Sequence, residues 1–183
     1  MEKIGLSKVN SAAIHGIEAR KVVIETSAQR GCGFLIVGLP DMAVRESHQR
    51  MLSAIRYSGW QTPRKNVVIN LSPADVKKEG AGFDLPMAVG LLMADGQINV
   101  DNPQDYMILG ELALDGNVMP VPGALPMAIK ARELGIRRLI VPEANKMEAA
   151  VVNKVEVYGV KNLAEVIALM EGSGQLAPTE VDT

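Results

Sequence analysis

Two stretches of the sequence concentrate side chains that could do chemistry. The first is KKEGAGFD at 77–84. Lys77 and Lys78, the glycines Gly80 and Gly82, and a helix start at Asp84 could together cradle an anion on exposed amides and ammonium groups. Glu79 and Asp84 would repel that anion. The alternative is a structural loop in which Gly80 and Gly82 take positive φ and Asp84 caps the next helix. The second stretch runs from Arg45 to Lys65. It holds Arg45, Arg50, Arg56, Arg64 and Lys65 with His48, Tyr57 and Trp60 interleaved, against Asp41 and Glu46. Such a mixture could track a phosphate backbone and stack on a base. The alternative is a solvated helix face with its aromatics packed.

Other chemistries find less support. GxxxxGK[ST] is absent, as is GxGxxG after a strand. FLIVGLPD at 34–41 has the strand, glycine and helix order of a phosphate loop without its Lys and Ser/Thr. His15, His48 and Cys32 are scattered, and Asp75, Glu79 and Asp84 are mixed with lysines, so no metal site is expected. Ser47, Ser53, Ser58 and Ser72 are available as nucleophiles, but nothing in the sequence pairs one with a base.

The elements that must position these residues follow from pattern. Lys3 to Val9, Lys21 to Thr26 and Phe34 to Val37 read as strands. Asp41 is the expected N-cap of a helix running through Ser58, with Val44, Met51, Leu52 and Ile55 inward. Asn66 to Leu71 is a strand. Leu85 to Ala94 is apolar nearly all round and predicts a central buried helix capped by Asp84, with Pro86 in its first turn. Met107 to Leu112 and Val118 to Val121 read as strands around an Asp115-Gly116 turn. Leu125 to Leu134 is a helix, Arg138 to Val141 a strand, Glu143 to Val151 a short helix and Val155 to Tyr158 a strand. Asn162 and Glu165 form a capping-box start for a last helix ending before Gly172.

The 183 residues suit one domain with a sizeable core. Apolar residues make up 48% and charged residues 22%, with a net charge of −2. That balance excludes chain-wide attraction to nucleic acid, so any DNA contact must be local. The single cysteine excludes an internal disulfide framework and fits a reducing cytosol. With no long apolar run, the protein is expected to be cytoplasmic, with no membrane partner.

Four blocks carry a resemblance: VGLPDMAVRESHQRMLSAIRYSG at 37–59, VVINLSPADVKKEGAGFDLPMAVGLL at 67–92, LGELALDGNVMPVPGALPMAIKA at 109–131, and IVPEANKMEAAVV at 140–152. In order, they resemble the amino-terminal domain of the Mg-chelatase-like ComM/YifB family of AAA+ ATPases. The third block also resembles the Lon protease proteolytic domain and the carboxyl-terminal domain of RadA. The resemblance implies an α+β fold of the Lon protease proteolytic-domain-like type (ribosomal protein S five, domain two-like), a mixed sheet packed with helices. It implies a domain over 1–172, with 173–183 a disordered tail or the start of a linker to an AAA+ module.

Lon-type peptidases use a Ser–Lys dyad. Here no Ser lies between Pro73 and Pro86, and the aligned lysine position falls at about Met127, with Lys130 nearly one turn further on. The expectation is a non-catalytic accessory module without peptidase chemistry. It would support assembly of the ATPase ring and DNA engagement in branch migration and natural transformation. No cofactor is expected in this chain, and ATP and magnesium only in the AAA+ module. Expected partners are that module, sister subunits of a hexamer, and DNA. Two rivals remain: a divergent serine hydrolase using Ser72, and a magnesium chelatase subunit.

Overall fold

The computed structural model describes residues 4–181. Lys3, the expected start of the first strand, and Asp182 and Thr183 of the tail lie outside the described residues. The chain opens with a long antiparallel hairpin. β1 (Gly5–His15) and β2 (Glu18–Gln29) pair without a break from Gly5 opposite Ala28 to His15 opposite Glu18. Both strands outrun the expected Lys3–Val9 and Lys21–Thr26. Asn10, Ser11, Ala12 and Ala13 have weak strand preference, but the continuous ladder and the burial of these small side chains override it.

The remaining elements are β3 (Gly33–Val37), α1 (Asp41–Tyr57), β4 (Asn66–Ser72), α2 (Asp84–Ala94), β5 (Tyr106–Ile108), β6 (Glu111–Leu112), β7 (Val118–Met119), α3 (Ala124–Glu133), β8 (Arg138–Pro142), α4 (Lys146–Ala150), β9 (Glu156–Val160) and α5 (Leu163–Met170). Seven strands form one mixed sheet in the order β3-β4-β2-β1-β5-β8-β9. The pairs β3–β4, β1–β5, β5–β8 and β8–β9 are parallel; β1–β2 and β2–β4 are antiparallel. β6 and β7 form a separate small hairpin.

Alternation along the strands splits the core into two layers. Met107, Leu139, Val141 and Val157 face α3 and α4, packing on Met127, Ala128 and Ala149. Ile108, Ile140, Tyr158 and Val160 face the opposite layer, which contains α2 and α5. At the β3–β4 end, Val67, Ile69 and Leu71 are buried in this second layer, while Leu35 and Val37 stand exposed. Helix α2 is buried along nearly its whole circumference, as its apolar sequence predicts.

Several expected boundaries move. Asp41 is the first helical residue of α1, not its cap; Pro40 takes the cap position and its carbonyl accepts from Val44 N–H. The carboxylate of Asp41 still sits in the first turn, where the helix dipole favours negative charge. The strand expected over Met107–Leu112 is broken at Leu109 and Gly110. Gly110 N–H donates to the Gly82 carbonyl (2.8 Å), and the Gly110 carbonyl accepts from Leu85 N–H (3.0 Å). Here the backbone leaves the main sheet to hold the start of α2. Residues 143–145 form a 3-10 turn before α4. The expected cap of α5 is present: Asn162 Oδ1 accepts from Glu165 N–H, and Glu165 Oε1 accepts from Lys161 N–H. The tail, expected to be disordered or to begin a linker, places Thr179 N–H on the Val157 carbonyl (2.7 Å) and packs Leu176 against the core. Among the described residues no helix is long and apolar enough to cross a membrane.

Candidate functional site

The loop between β4 and α2 is held from inside. Asp84 is fully buried as the first residue of α2, and Phe83 precedes it as the cap. The expected capping role is therefore replaced by a different one. Asp84 Oδ2 accepts from Arg50 Nε (2.6 Å) and Leu112 N–H (3.1 Å); Oδ1 accepts from Ser47 Oγ (2.7 Å) and Arg50 Nη2 (3.2 Å). Ser47 and Arg50 share a face of α1 because they are three residues apart. Burial pushes the Asp84 carboxyl up from its ordinary value, and the hydrogen bonds from Arg50 and Ser47 oppose that shift. Arg50 is raised by its hydrogen bond to Asp84. The group thus joins α1, α2 and β6, and the four hydrogen bonds to Asp84 are all internal. Arg50, expected at a DNA surface, is half-buried and turned toward Asp84.

The lysines of the loop separate. Lys78, expected to face an anion, turns inward and is almost fully buried, donating Nζ to the carbonyls of Pro73 and Val76 (both 2.6 Å). Burial lowers its ammonium from the ordinary lysine value, with Asp75 opposing. Lys78 is unavailable because its side chain is buried and its ammonium is spent on these two loop carbonyls. Lys77 is exposed beside Glu79 at 3.6 Å. Gly80 has φ of +84°, as expected for the loop. Gly82 does not have positive φ; a Cβ there would meet Leu109 Cδ1 at 2.9 Å, so any side chain must displace Leu109.

Around this loop lies a cleft of about 260 Å³, lined by Glu79, Gly80, Gly82, Glu111 and Val121 among others. Ser72, at the end of β4, donates Oγ to the Val23 carbonyl at 3.4 Å. Met127 is fully buried, and Lys130 pairs with Glu133 at 3.0 Å.

The basic residues near α1 separate as well. Arg45, Arg56 and Arg64 are exposed and make no hydrogen bond or ion pair among the described residues. Arg45 and Arg56 are eleven residues apart, about three helical turns, so they lie on one stripe of α1. Lys65 is tied to the end of α2 through Asp95 Oδ1 (3.0 Å) and the Asp95 carbonyl (3.3 Å). Of the interleaved aromatics, Tyr57 is exposed and Trp60 packs on the core.

A ring pair that sequence reasoning missed stands beside them. Phe34 of β3 and His48 of α1 stack with centroids 3.9 Å apart and planes 8° from parallel. Burial lowers the His48 pKa from its ordinary value, which favours the neutral imidazole. The pair forms part of the wall of a pocket of about 490 Å³ that Arg64 and Lys65 also line. No spacing signal could have joined residues on two elements; the short turn from Val37 to Asp41 was the only hint that β3 and α1 lie close.

The fold and these blocks define a class. The family model described as subunit ChlI of Mg-chelatase matches residues 24–145, and the chain belongs to this Mg-chelatase-like family. Among similar proteins, uncharacterized protein YifB of Escherichia coli is 38% identical over 94% of this chain and 34% of that protein. Competence protein ComM of Haemophilus influenzae is 36% identical over the same shares. The archaeal Lon protease of Thermococcus kodakarensis is 28% identical over 91% of this chain and 28% of that protein. The chain spans about a third of the length of the YifB and ComM relatives it matches.

Proposed function

We propose that the chain is a non-catalytic amino-terminal module of a ComM-type AAA+ ATPase, built on a Lon-like fold, that engages DNA for a ring-forming motor. In this reading ATP and magnesium act in the AAA+ module, sister subunits of a hexamer are the partners, and the work is branch migration during natural transformation in the cytoplasm. One observation carries DNA engagement: Arg45, Arg56 and Arg64 are exposed and without partners among the described residues, Arg64 lining the Phe34–His48 pocket and Arg45 and Arg56 lying on α1, the helix that contributes His48 to it. Internal use of the Asp84 carboxylate, and of Lys78, supports the non-catalytic half of the reading.

The test is fluorescence anisotropy with labelled forked and single-stranded DNA. Binding is expected in the non-specific range of roughly 10⁻⁴ to 10⁻⁶ M, and linked copies in a ring would gain avidity. With about three phosphates neutralised, log K against log salt should fall with a slope of about −2 on single strands. Arg45→Glu, Arg56→Glu and Arg64→Glu combined should abolish it. No binding at low salt, or binding that survives the three reversals, refutes DNA engagement by this surface.

A further inference from the structure

The pocket beside the arginines makes three demands on its occupant. Its interior is apolar, with Leu52, Val67 and Leu91 beside the Phe34–His48 stack. Thr62 also lines it, and Thr62 Oγ1 is buried without a hydrogen-bond partner among the described residues. Arg64, exposed and also lining the pocket, is a cation with no partner among the described residues. An aliphatic ligand would fill the interior and leave both the hydroxyl and the guanidinium unmet. A bare phosphate would satisfy Arg64 and leave the apolar interior empty. A flat heteroaromatic ring carrying a phosphate meets all three demands, because it can stack, accept or donate one edge hydrogen bond, and pair with arginine.

We propose that this pocket receives one unpaired nucleobase of a DNA strand, its ring continuing the Phe34–His48 stack, its own phosphate on Arg64 and phosphates further along the strand on Arg45 and Arg56. The inference rests on the DNA reading above and sharpens it. A base inside a duplex is already paired and stacked, so entry favours single strands and forks over duplex. Stacking tolerates any base, so the pocket would select strandedness and not sequence.

The experiment compares an end-labelled oligothymidylate of about twelve nucleotides with the same strand made of abasic units, at low salt. Removing the bases should weaken binding about 5- to 10-fold, and His48→Leu should cause a similar loss on the normal strand while leaving abasic binding unchanged. The abasic comparison needs no variant and stands even if His48→Leu misfolds. Equal affinity for normal and abasic strands, with binding still abolished by the three arginine reversals, overturns the pocket while the DNA reading survives. No binding of any strand overturns both. Competition by free dTMP at the affinity of the strand also overturns the proposal, because the occupant would then be a free nucleotide.

Discussion

Arg50 Nε lies 2.6 Å from Asp84 Oδ2, and through this contact α1 is fastened to the first turn of α2. The carboxylate is fully buried, so its charge depends on that partner. Arg50→Ala should destabilise the chain by about 3–5 kcal/mol, the cost of an uncompensated buried charge. Ser47→Ala, which removes one neutral donor, should cost about 1–2 kcal/mol. Urea unfolding of the single and double variants would measure both, and an unchanged midpoint for Arg50→Ala would show that the pair is not needed.

The two loop glycines should fail for different reasons. Gly80→Ala forces a side chain into a left-handed conformation and should cost about 1 kcal/mol. Gly82→Val crowds Leu109 and should cost about 1–3 kcal/mol. Thermal melting distinguishes them: Leu109→Ala in the same chain should relieve Gly82→Val and leave Gly80→Ala untouched. Relief of both, or of neither, contradicts the assigned causes.

His48 gives the stability a pH dependence of known sign. Its folded pKa is lowered, so near pH 6 the unfolded chain binds more protons than the folded one. The contribution is therefore fully present above the ordinary histidine value of about 6.5 and is lost as pH falls through the folded pKa. Melting temperature should decline on acidification across this window, and His48→Leu should flatten the decline. An imidazole titration by NMR with a midpoint above 6.5 for His48 would reverse the sign and refute the prediction.

Peptidase assays should be negative. Met127 occupies the position where the Lon resemblance places the lysine, and it is buried; Lys130 is engaged by Glu133. Incubation with casein should yield no fragments. Turnover that disappears in Ser72→Ala would instead establish a serine hydrolase.

Much of the architecture is readable from local pattern. The all-apolar run Leu85–Ala94 announces a buried helix, and Asn162 with Glu165 announces the start of α5, because both signals are complete within a few residues. The length of the β1–β2 hairpin is not readable, since Asn10 to Ala13 owe their strand conformation to the opposite chain. The site is less legible still. Arg50 and Lys78 look like the other basic residues in sequence, and only tertiary contacts turn them inward. Phe34 and His48 stack across elements, so neither carries a sign of the other.

Strand β3 combines two properties that together bear on handling the chain. It is the terminal strand of the sheet, and Leu35 and Val37 on it are exposed. One side of its backbone therefore offers unpaired amides and carbonyls, framed by apolar side chains, to any second strand that arrives. Such a rim is a template for edge-to-edge association, which a lysine at an exposed position blunts by requiring its charge to be buried. Leu35→Lys is accordingly the first change to make when concentrated solutions of this chain lose clarity.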